Sequence, residues 1–310
     1  MDYSRYQLAR VEVVDGVASV VINNPPINIF DLPLYGEMAK LAGELAVDND
    51  VRVVILSSAN PDFFIPHFDV GLILQIPQNL PTPTELNTFT KMCEAFREMP
   101  KATIAVIEGR IGGGGSELAL SCDMRFALRG RAIFNQPEVA LGIIPGGSGT
   151  VRLSRLVGRS RALEVVLGCD DIDADTAEQW GWVNRTLNEG ELWPFVQRMA
   201  QRIASFPPAA VQEAKAAILR SDHNIHDELL QEAIGFNKLL ADPRAQTAMQ
   251  NFMERGGQTS DGEKRLGELA GELGLVLGDR ITFSVGGLRF EAEMVGTRSL
   301  NWDNMTPNFY

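Results

Sequence analysis

Cysteine and histidine are both scarce in this chain, whose 310 residues contain three of each. The cysteines (Cys93, Cys122 and Cys169) have no C-x-x-C spacing and are too few for a disulfide framework, so a reducing compartment is expected. The same scarcity leaves no His/Cys spacing typical of a zinc site, and the sequence predicts no bound metal.

Excess positive charge and long apolar runs are missing too. Lys and Arg number 28 against 40 Asp and Glu, a net charge of −12, which argues against a general nucleic-acid binder because such binding depends on neutralising phosphates. The most apolar stretch, residues 132–151, is interrupted by Glu138, two prolines and several glycines. No segment therefore approaches the roughly 18 apolar residues of a membrane helix. The first ten residues lack a signal-peptide pattern, so we expect a cytoplasmic protein with no membrane insertion.

What is present is an alternation of strand and helix patterns in the first half, followed by a mostly helical region. Asp15-Gly16 favours a two-residue hairpin turn, and Asp31 is a plausible helix N-cap. The expected strands are Val11–Val14, Val17–Ile22, Val51–Leu56, Ala102–Ile107, Met124–Leu128 and Ala132–Phe134. The expected helices are Asp31 to about Asp48, Thr82 to about Glu98, Ser116–Leu120, Arg161–Leu167, Glu191–Ser205, Pro208–Arg220 and Asp227–Leu240. Interleaved strands and helices predict an α/β layered fold.

The second of these helices is expected on a specific local signal. Thr82-Pro83-Thr84-Glu85 has the S/T-x-x-E spacing of a capping box, with proline at the first helical position. From about Gly257 the pattern changes. A polar helix is expected over Gly262–Leu273, followed by a hairpin of Ile281–Val285 and Leu288–Met294 joined by Gly286-Gly287.

The most informative segment is Gly112–Gly115 followed by Ser116-Glu117, between a buried strand and a helix start. Consecutive glycines suit unusual torsions or close backbone approach. Free N–H groups at a helix N-terminus favour developing negative charge, as an oxyanion hole requires. A glycine cluster that serves only helix–strand packing is the alternative, and the motif alone leaves both open. A dinucleotide site is disfavoured because the G-x-G-x-x-G spacing is not met.

Two carboxylates could add acid/base chemistry. Glu117 taken alone fits a first-turn acid that complements the helix dipole, and Glu138 taken alone fits an exposed loop residue. One short helix and two short strands separate them, a path that can bring its two ends together. Two carboxyl groups that bracket a water act as an acid/base pair when their pKa values are held apart.

Two long motifs carry a family resemblance. Residues 113–120 followed by Cys122-Asp123 resemble the GGGxELAL…CD signature of the crotonase (enoyl-CoA hydratase/isomerase) superfamily. Residues 134–150, which contain Gln136-Pro137-Glu138, resemble its F-x-x-PE…LG…PG…GT segment, and residues 177–184 are similar to its A-x-x-x-G-x-VN. The resemblance extends from about Tyr6 to about Arg255.

The resemblance implies a fold and an architecture. The fold is a crotonase-like α/β spiral of ββα units with a C-terminal helical trimerisation region, commonly doubled into hexamers. We accordingly expect a spiral core with the active site over residues 1–190, a helical oligomerisation region over 191–256 and an atypical extension over 257–310. A homotrimer or a dimer of trimers is the expected assembly.

The resemblance also implies roles. In the family's hydratases, two backbone N–H groups bind the thioester oxygen and two glutamates handle the water. By position, Phe68 and Gly114 match the oxyanion-hole N–H donors, Glu117 matches the glutamate that activates water for attack at C3, and Glu138 matches the glutamate that exchanges a proton at C2. The substrate-binding residues expected beside them are His67, Asp69, Gly113, Pro137 and Gly146. The implied substrate is an acyl-CoA, with no separate cofactor, and the apolar residues of the 71–81 segment favour an apolar acyl group.

The chain departs from the family pattern at two points near the site. His67 stands where the F-S-A-G-A-D segment of the family has glycine, so this turn either lacks a positive φ or tolerates strain. Its imidazole either donates into the pocket or points elsewhere, and the second is favoured. Residues 24–28 contain no basic residue of the kind the family often places beside CoA, which leaves an acyl-carrier-protein thioester open as substrate.

Three functions follow as hypotheses. The first is hydration of a 2-enoyl thioester or the reverse dehydration, and the second is double-bond isomerisation with Glu138 as proton shuttle. The third is a non-catalytic protein of the same fold, motivated by the altered His67 turn and by the unfamiliar C-terminal segment.

Overall fold

The computed structural model describes residues 1–272, 280–285 and 288–293, and within them eleven strands and thirteen helices. The strands are β1 Ala9–Val14, β2 Val17–Ile22, β3 Val53–Ser58, β4 Ala102–Ile107, β5 Arg110–Gly112, β6 Met124–Leu128, β7 Ile133–Asn135, β8 Ile172–Asp173, β9 Arg185–Leu187, β10 Arg280–Val285 and β11 Leu288–Glu293. The helices are α1 Leu32–Val47, α2 Val70–Ile73, α3 Thr88–Glu98, α4 Gly113–Leu120, α5 Gly149–Val157, α6 Arg159–Gly168, α7 Ala174–Trp180, α8 Leu192–Ala204, α9 Pro208–Leu219, α10 Ile225–Leu240, α11 Pro243–Glu254, α12 Ser260–Lys264 and α13 Leu266–Glu272.

A six-stranded sheet of order β1-β2-β3-β4-β6-β9 forms the centre of the fold. Its first pair, β1 and β2, is antiparallel, and every other neighbouring pair is parallel. β4 is buried along its whole length, as expected for a parallel strand covered on both faces. The predicted α/β layered class is confirmed.

The second sheet positions the site. It has the order β5-β7-β8, and β5 runs parallel to β7 with Gly112 opposite Asn135. Because the carboxyl ends of parallel strands meet at one edge, helix α4, which follows β5, starts beside the loop that follows β7 and carries Glu138. This pairing brings the two sequence motifs together in space.

The expected β1–β2 hairpin is confirmed, with both turn residues in the left-handed region (Asp15 φ 49°, Gly16 φ 79°). β3 begins two residues later than expected: its ladder with β2 starts at Val53, opposite Val17, where the N–H groups of Arg52 and Val53 donate to the carbonyl of Gly16. Four helices were not expected from the sequence: α2, α5, α7 and α11.

The predicted capping box at Thr82 is wrong. Helix α3 begins at Thr88, and its N-cap is Asn87, whose side chain accepts a hydrogen bond from Thr90 N (2.7 Å). Glu85 does not reach back to residue 82; it accepts from Lys91 Nζ at 2.6 Å. Leu86, buried in a small apolar cluster, fixes the chain just before the observed cap. The spacing signal was overridden by tertiary packing.

This correction predicts a difference between two alanine variants. Asn87→Ala is expected to lower the free energy of unfolding by about 1 kcal/mol, because an N-cap acceptor is lost. Thr82→Ala is expected to change it by less than about 0.5 kcal/mol, as for an ordinary surface position. Urea unfolding of both variants measures the contrast, and equal losses would contradict the assignment of the cap.

The C-terminal expectations are met in part. The single polar helix expected over Gly262–Leu273 is two short helices. Helix α12 is capped at its N-terminus by Thr259 and ends at Lys264, and α13 begins at Leu266, after Arg265. The hairpin is present as the antiparallel pair β10–β11. The expected Gly286-Gly287 connection, Leu273 and Met294 lie outside the described residues.

Two findings bear on the composition argument. All three cysteines are buried free thiols. Among the helices described, none combines the length and the apolar character that a membrane span needs.

Candidate active site

Glu117 and Glu138 line one cavity of about 320 Å³. Glu117 lies on helix α4 and Glu138 in the loop after β7, so the parallel β5–β7 pairing accounts for their proximity. Both are largely buried, with 4% and 8% of their surface exposed. The structure therefore brings together the two carboxyl groups that the sequence singled out.

Glu117 is held by a neighbouring loop. Its Oε1 accepts hydrogen bonds from Gly147 N (2.7 Å) and Gly149 N (2.9 Å). Burial raises the pKa of Glu117 to about 8; the charge of Glu232 adds to this, and the two N–H donors oppose it. Such a carboxyl can exchange a proton near neutral pH.

Glu138 has few polar partners. Its Oε2 accepts a long hydrogen bond from Gln136 Nε2 (3.3 Å). Burial, and after it the charge of Glu117, raises the pKa of Glu138 well above its ordinary value. Because two neighbouring buried carboxylates resist being ionised together, ionisation of either group raises the pKa of the other.

A third glutamate, Glu232 of helix α10, supports this pair and was missed by the sequence reasoning. Its carboxylate accepts from Ser148 N (2.6 Å), Thr150 N (2.9 Å) and the Thr150 hydroxyl. Ser148 precedes helix α5 with φ 109° and makes no side-chain cap, so Glu232 caps that helix from outside. It thereby fixes the loop whose N–H groups hold Glu117.

The backbone N–H groups of Phe68 and Gly114 lie close together at the wall of the cavity. The N–H of Gly114 lies in the first turn of helix α4, before the intrahelical ladder begins. Phe68 N is its neighbour: a Cβ added at Gly114 would lie 3.5 Å from it. The bonds Phe30 N to His67 O (3.0 Å) and Asp69 N to Phe30 O (3.2 Å) occupy one edge of this segment, so the Phe68 N–H points away from Phe30. This pair of donors has the arrangement of an oxyanion hole.

Gly113 permits the approach of these segments. It has φ +43°, and an added Cβ would lie 2.9 Å from His67 Cβ and 3.0 Å from Glu138 Oε1. A side chain here would be strained by its backbone and would also press on the catalytic carboxyl candidate.

His67 resolves the alternative that the sequence left open. Its φ is not in the positive region, so the turn does without the conformation that the family glycine allows. Its imidazole does not donate to the cavity: Nδ1 donates to Phe68 O (2.8 Å) and Nε2 to Glu263 Oε1 (2.9 Å). The favoured expectation, that the ring points elsewhere, agrees with this geometry.

The other predicted substrate-binding residues are placed as follows. Pro137 and Gly146 line the cavity. Asp69 caps helix α2 through Gly71 N (2.8 Å) and accepts from Gln258 Nε2 (2.9 Å). The remaining wall is mostly apolar. It includes Phe68, Val70, Ile73, Ile76, Leu80, Phe89, Leu141, Ile143 and Phe236.

The sequence profile of a family described as "Enoyl-CoA hydratase/isomerase" matches residues 12–261. The chain belongs to this family. It is 34% identical over 250 residues to the short-chain-enoyl-CoA hydratase of Clostridium acetobutylicum, covering 77% of this chain and 92% of that protein. It is 32% identical over 256 residues to the crotonyl-CoA hydratase of Syntrophomonas wolfei, covering 81% and 96%.

Solved structures agree with the sequence relatives. A Streptomyces avermitilis protein described as an enoyl-CoA hydratase superposes with a TM-score of 0.80 at 37% identity, covering 87% of this chain and 99% of that one. The resemblance to the crotonase superfamily is thereby confirmed. Within this enoyl-CoA hydratase/isomerase fold, Glu117, Glu138, Gly114 and Phe68 meet at one cavity.

The enoyl-CoA hydratase/isomerase motifs lead to these four residues but not to Glu232, Gln258 or Glu263. Ser148 and Glu232 are 84 positions apart, and His67 and Glu263 are 196 apart. The only local signal at Glu263 is an acidic residue in a polar helix pattern, which does not distinguish a buried ion pair from a solvated surface.

Proposed function

We propose that the protein hydrates the 2,3 double bond of an enoyl-CoA, or dehydrates the corresponding 3-hydroxyacyl-CoA, as a lyase. The observation that carries the proposal is the pair of buried carboxyl groups, Glu117 and Glu138, in one cavity with two convergent backbone N–H groups. The similar hydratases of Clostridium and Syntrophomonas support it.

The oxyanion hole accounts for the first requirement of the reaction. When water adds at C3, negative charge moves to the thioester oxygen. The N–H groups of Phe68 and Gly114 donate to that oxygen, and they stabilise the enolate more than the neutral thioester because charge develops there. The dipole of helix α4 adds in the same direction.

The two glutamates account for the second requirement. Ionised Glu117 accepts a proton from the water that attacks C3, and protonated Glu138 donates a proton to C2. The separate environments of the two groups suit these roles, because Glu117 has N–H donors that stabilise its charge whereas Glu138 has almost none. Hydration consumes one water and leaves Glu117 protonated and Glu138 ionised. Transfer of a proton from Glu117 to Glu138 then restores the starting state of the pair.

The apolar wall accounts for the acyl part of the substrate. Ile73 and Ile76, from the segment in which the sequence predicted an apolar acyl site, lie with Phe89 and Phe236 around the cavity. The acyl group is proposed to be apolar and to be delivered as a CoA thioester. An acyl-carrier-protein thioester is the alternative form of the substrate, and the proposed assembly is a homotrimer or a dimer of trimers.

The experiment is a substrate comparison with the purified protein. Crotonyl-CoA, a longer trans-2-enoyl-CoA and a 3-enoyl-CoA are supplied separately, and the conjugated-enone absorbance is followed. Loss of absorbance with the 2-enoyl substrates and appearance of the 3-hydroxyacyl product support hydration. Growth of absorbance from the 3-enoyl substrate alone would replace hydration by isomerisation, and bound but unreacted thioesters would indicate the non-catalytic alternative.

A further inference from the structure

The loop that carries the Phe68 N–H is fixed on one side by its own neighbours. In the peptide that joins His67 to Phe68, the carbonyl accepts from Phe30 N at 3.0 Å. Because the N–H of a trans peptide points opposite to its carbonyl, this bond points the Phe68 N–H away from Phe30. Gly114 lies beside that nitrogen, since a Cβ added at Gly114 would be 3.5 Å from Phe68 N. The next peptide is fixed as well, since Asp69 N donates to Phe30 O at 3.2 Å.

The His67 side chain bonds the second of these peptides, the one that joins Phe68 to Asp69, from the other side. Nδ1 donates to Phe68 O at 2.8 Å, and the ring, only 4% exposed, packs edge-on against Phe252 of helix α11 with centroids 5.6 Å apart. Nε2 donates to Glu263 Oε1 at 2.9 Å. Both partners of the ring are acceptors, so the imidazolium form satisfies both bonds.

Glu263 is an unusual residue for a surface helix. Its side chain is fully buried, and it lies on α12, a segment that approaches the site from the C-terminal part of the chain. Its Oε1 also accepts from Gln258 N at 2.7 Å. Burial opposes ionisation of both partners, but their mutual attraction and hydrogen bond outweigh it, so the pKa of His67 is raised and that of Glu263 lowered. A buried carboxylate without its cation is strongly unfavourable, which ties Glu263 to His67.

A second set of hydrogen bonds joins the same two segments. Gln258, with φ 64°, turns its side chain onto the start of helix α2. Its Oε1 accepts from Val70 N (2.9 Å) and its Nε2 donates to Asp69 Oδ1 (2.9 Å). The residues on both sides of Phe68 are thus bonded to the segment 258–263.

We propose that His67, Glu263 and Gln258 are positioning residues that hold the Phe68 N–H in the direction needed to bind the thioester oxygen. Residues 258–263 therefore help to position one of the two N–H donors of the oxyanion hole. Where the family has a glycine that allows a positive φ at position 67, this chain holds the turn with the ion pair between His67 and Glu263. The inference rests on the proposed function, since it assigns a role to the Phe68 N–H in that reaction.

The test compares Glu263→Gln, Glu263→Ala and His67→Ala with wild type, and uses Asp48→Asn as the control. Asp48 is also a buried carboxyl, bonded to the Tyr3 hydroxyl at 2.7 Å, but it lies away from the cavity. Two quantities are measured: kcat and KM for crotonyl-CoA, and the infrared carbonyl stretch of bound butyryl-CoA labelled with carbon-13 at C1. Butyryl-CoA has no double bond to hydrate, so the second readout is independent of turnover.

For Glu263→Ala and His67→Ala we expect kcat to fall at least about tenfold, short of the roughly 100- to 1,000-fold seen when an oxyanion donor is removed outright. KM is expected to stay within about threefold, because the thioester oxygen contact strengthens in the transition state. The carbonyl stretch should move back toward its value in water. Glu263→Gln keeps an acceptor for Nε2 and should lose less than Glu263→Ala, while Asp48→Asn should match wild type in both readouts.

The failures are distinguishable. A wild-type protein that hydrates crotonyl-CoA and shifts the carbonyl stretch, with alanine variants that do the same, overturns this inference alone. Variants that raise KM while leaving kcat and the carbonyl stretch unchanged also overturn it, because that result indicates a binding role. A wild-type protein with neither hydration nor a carbonyl shift overturns the proposed function and this inference with it.

Discussion

Glu138→Gln is expected to lower the rate of crotonyl-CoA hydration by about 10²–10⁴-fold, the range that a positioned general acid or base contributes. The amide has nearly the shape of the carboxyl, so the cavity is preserved, but it carries no proton that it can donate to C2. Glu117→Gln is expected to lose hydration by a similar factor, because the attacking water then has no base. The measurement is the decay of enone absorbance under substrate saturation.

The two variants together separate hydration from isomerisation. Hydration needs both carboxyl groups, so both variants should fail. An isomerase that moves one proton through Glu138 would retain activity on a 3-enoyl-CoA in Glu117→Gln. Binding of butyryl-CoA by each variant serves as the control for an intact site. Near wild-type hydration by Glu117→Gln, with binding intact, would remove Glu117 from the proposed mechanism.

Three of the site residues that the sequence predicted, Gly114, Glu117 and Glu138, are close together along the chain. Glu117 lies on the helix that follows β5, Glu138 lies in the loop that follows β7, and parallel pairing of β5 with β7 brings the ends of these two strands together. A motif with a fixed spacing therefore carries the three-dimensional information. Gly114 belongs to the same short segment and was predicted on the same ground.

The parts that the sequence did not predict depend on long-range packing. Glu232 acts from helix α10 on a loop 84 positions earlier, and its sequence neighbours give no sign that it is buried. Glu263 reaches His67 across 196 positions. The error at Thr82 has the same origin, because burial of Leu86 and capping by Asn87 outweighed a valid local pattern. Local signals define elements, whereas partners of buried charges are set by the packed fold.

Glu117→Gln and Glu138→Gln are also expected to make the protein more stable at alkaline pH while they remove its activity. The folded-state pKa of Glu117, about 8, lies above the ordinary value of 4.5, so the folded protein binds this proton more tightly than the unfolded chain does. Its contribution to the free energy of unfolding is therefore fully present below about pH 4.5 and is lost as the pH rises to about 8. Burial shifts the pKa of Glu138 in the same direction.

An amide at either position avoids the cost of ionising a buried group, and at position 117 it keeps an oxygen for the N–H groups of Gly147 and Gly149. Each pKa unit corresponds to about 1.4 kcal/mol. We therefore expect each of the two glutamine variants to melt about 5 °C or more above wild type at pH 8, with a much smaller difference at pH 5. Thermal unfolding followed by circular dichroism across this pH range measures the effect.

Asp48→Asn provides the contrast in sign. Although burial opposes it, hydrogen bonds from Asp50 N and the Tyr3 hydroxyl lower the pKa of Asp48 to about 2. Its stabilisation is therefore present above the ordinary value of 3.8 and lost as the pH falls toward 2, so Asp48→Asn should melt below wild type at pH 8. If Glu117→Gln also melted below wild type at pH 8, the wild-type Glu117 carboxylate would stabilise the fold at that pH. That result would contradict the prediction that ionising this buried group costs stability.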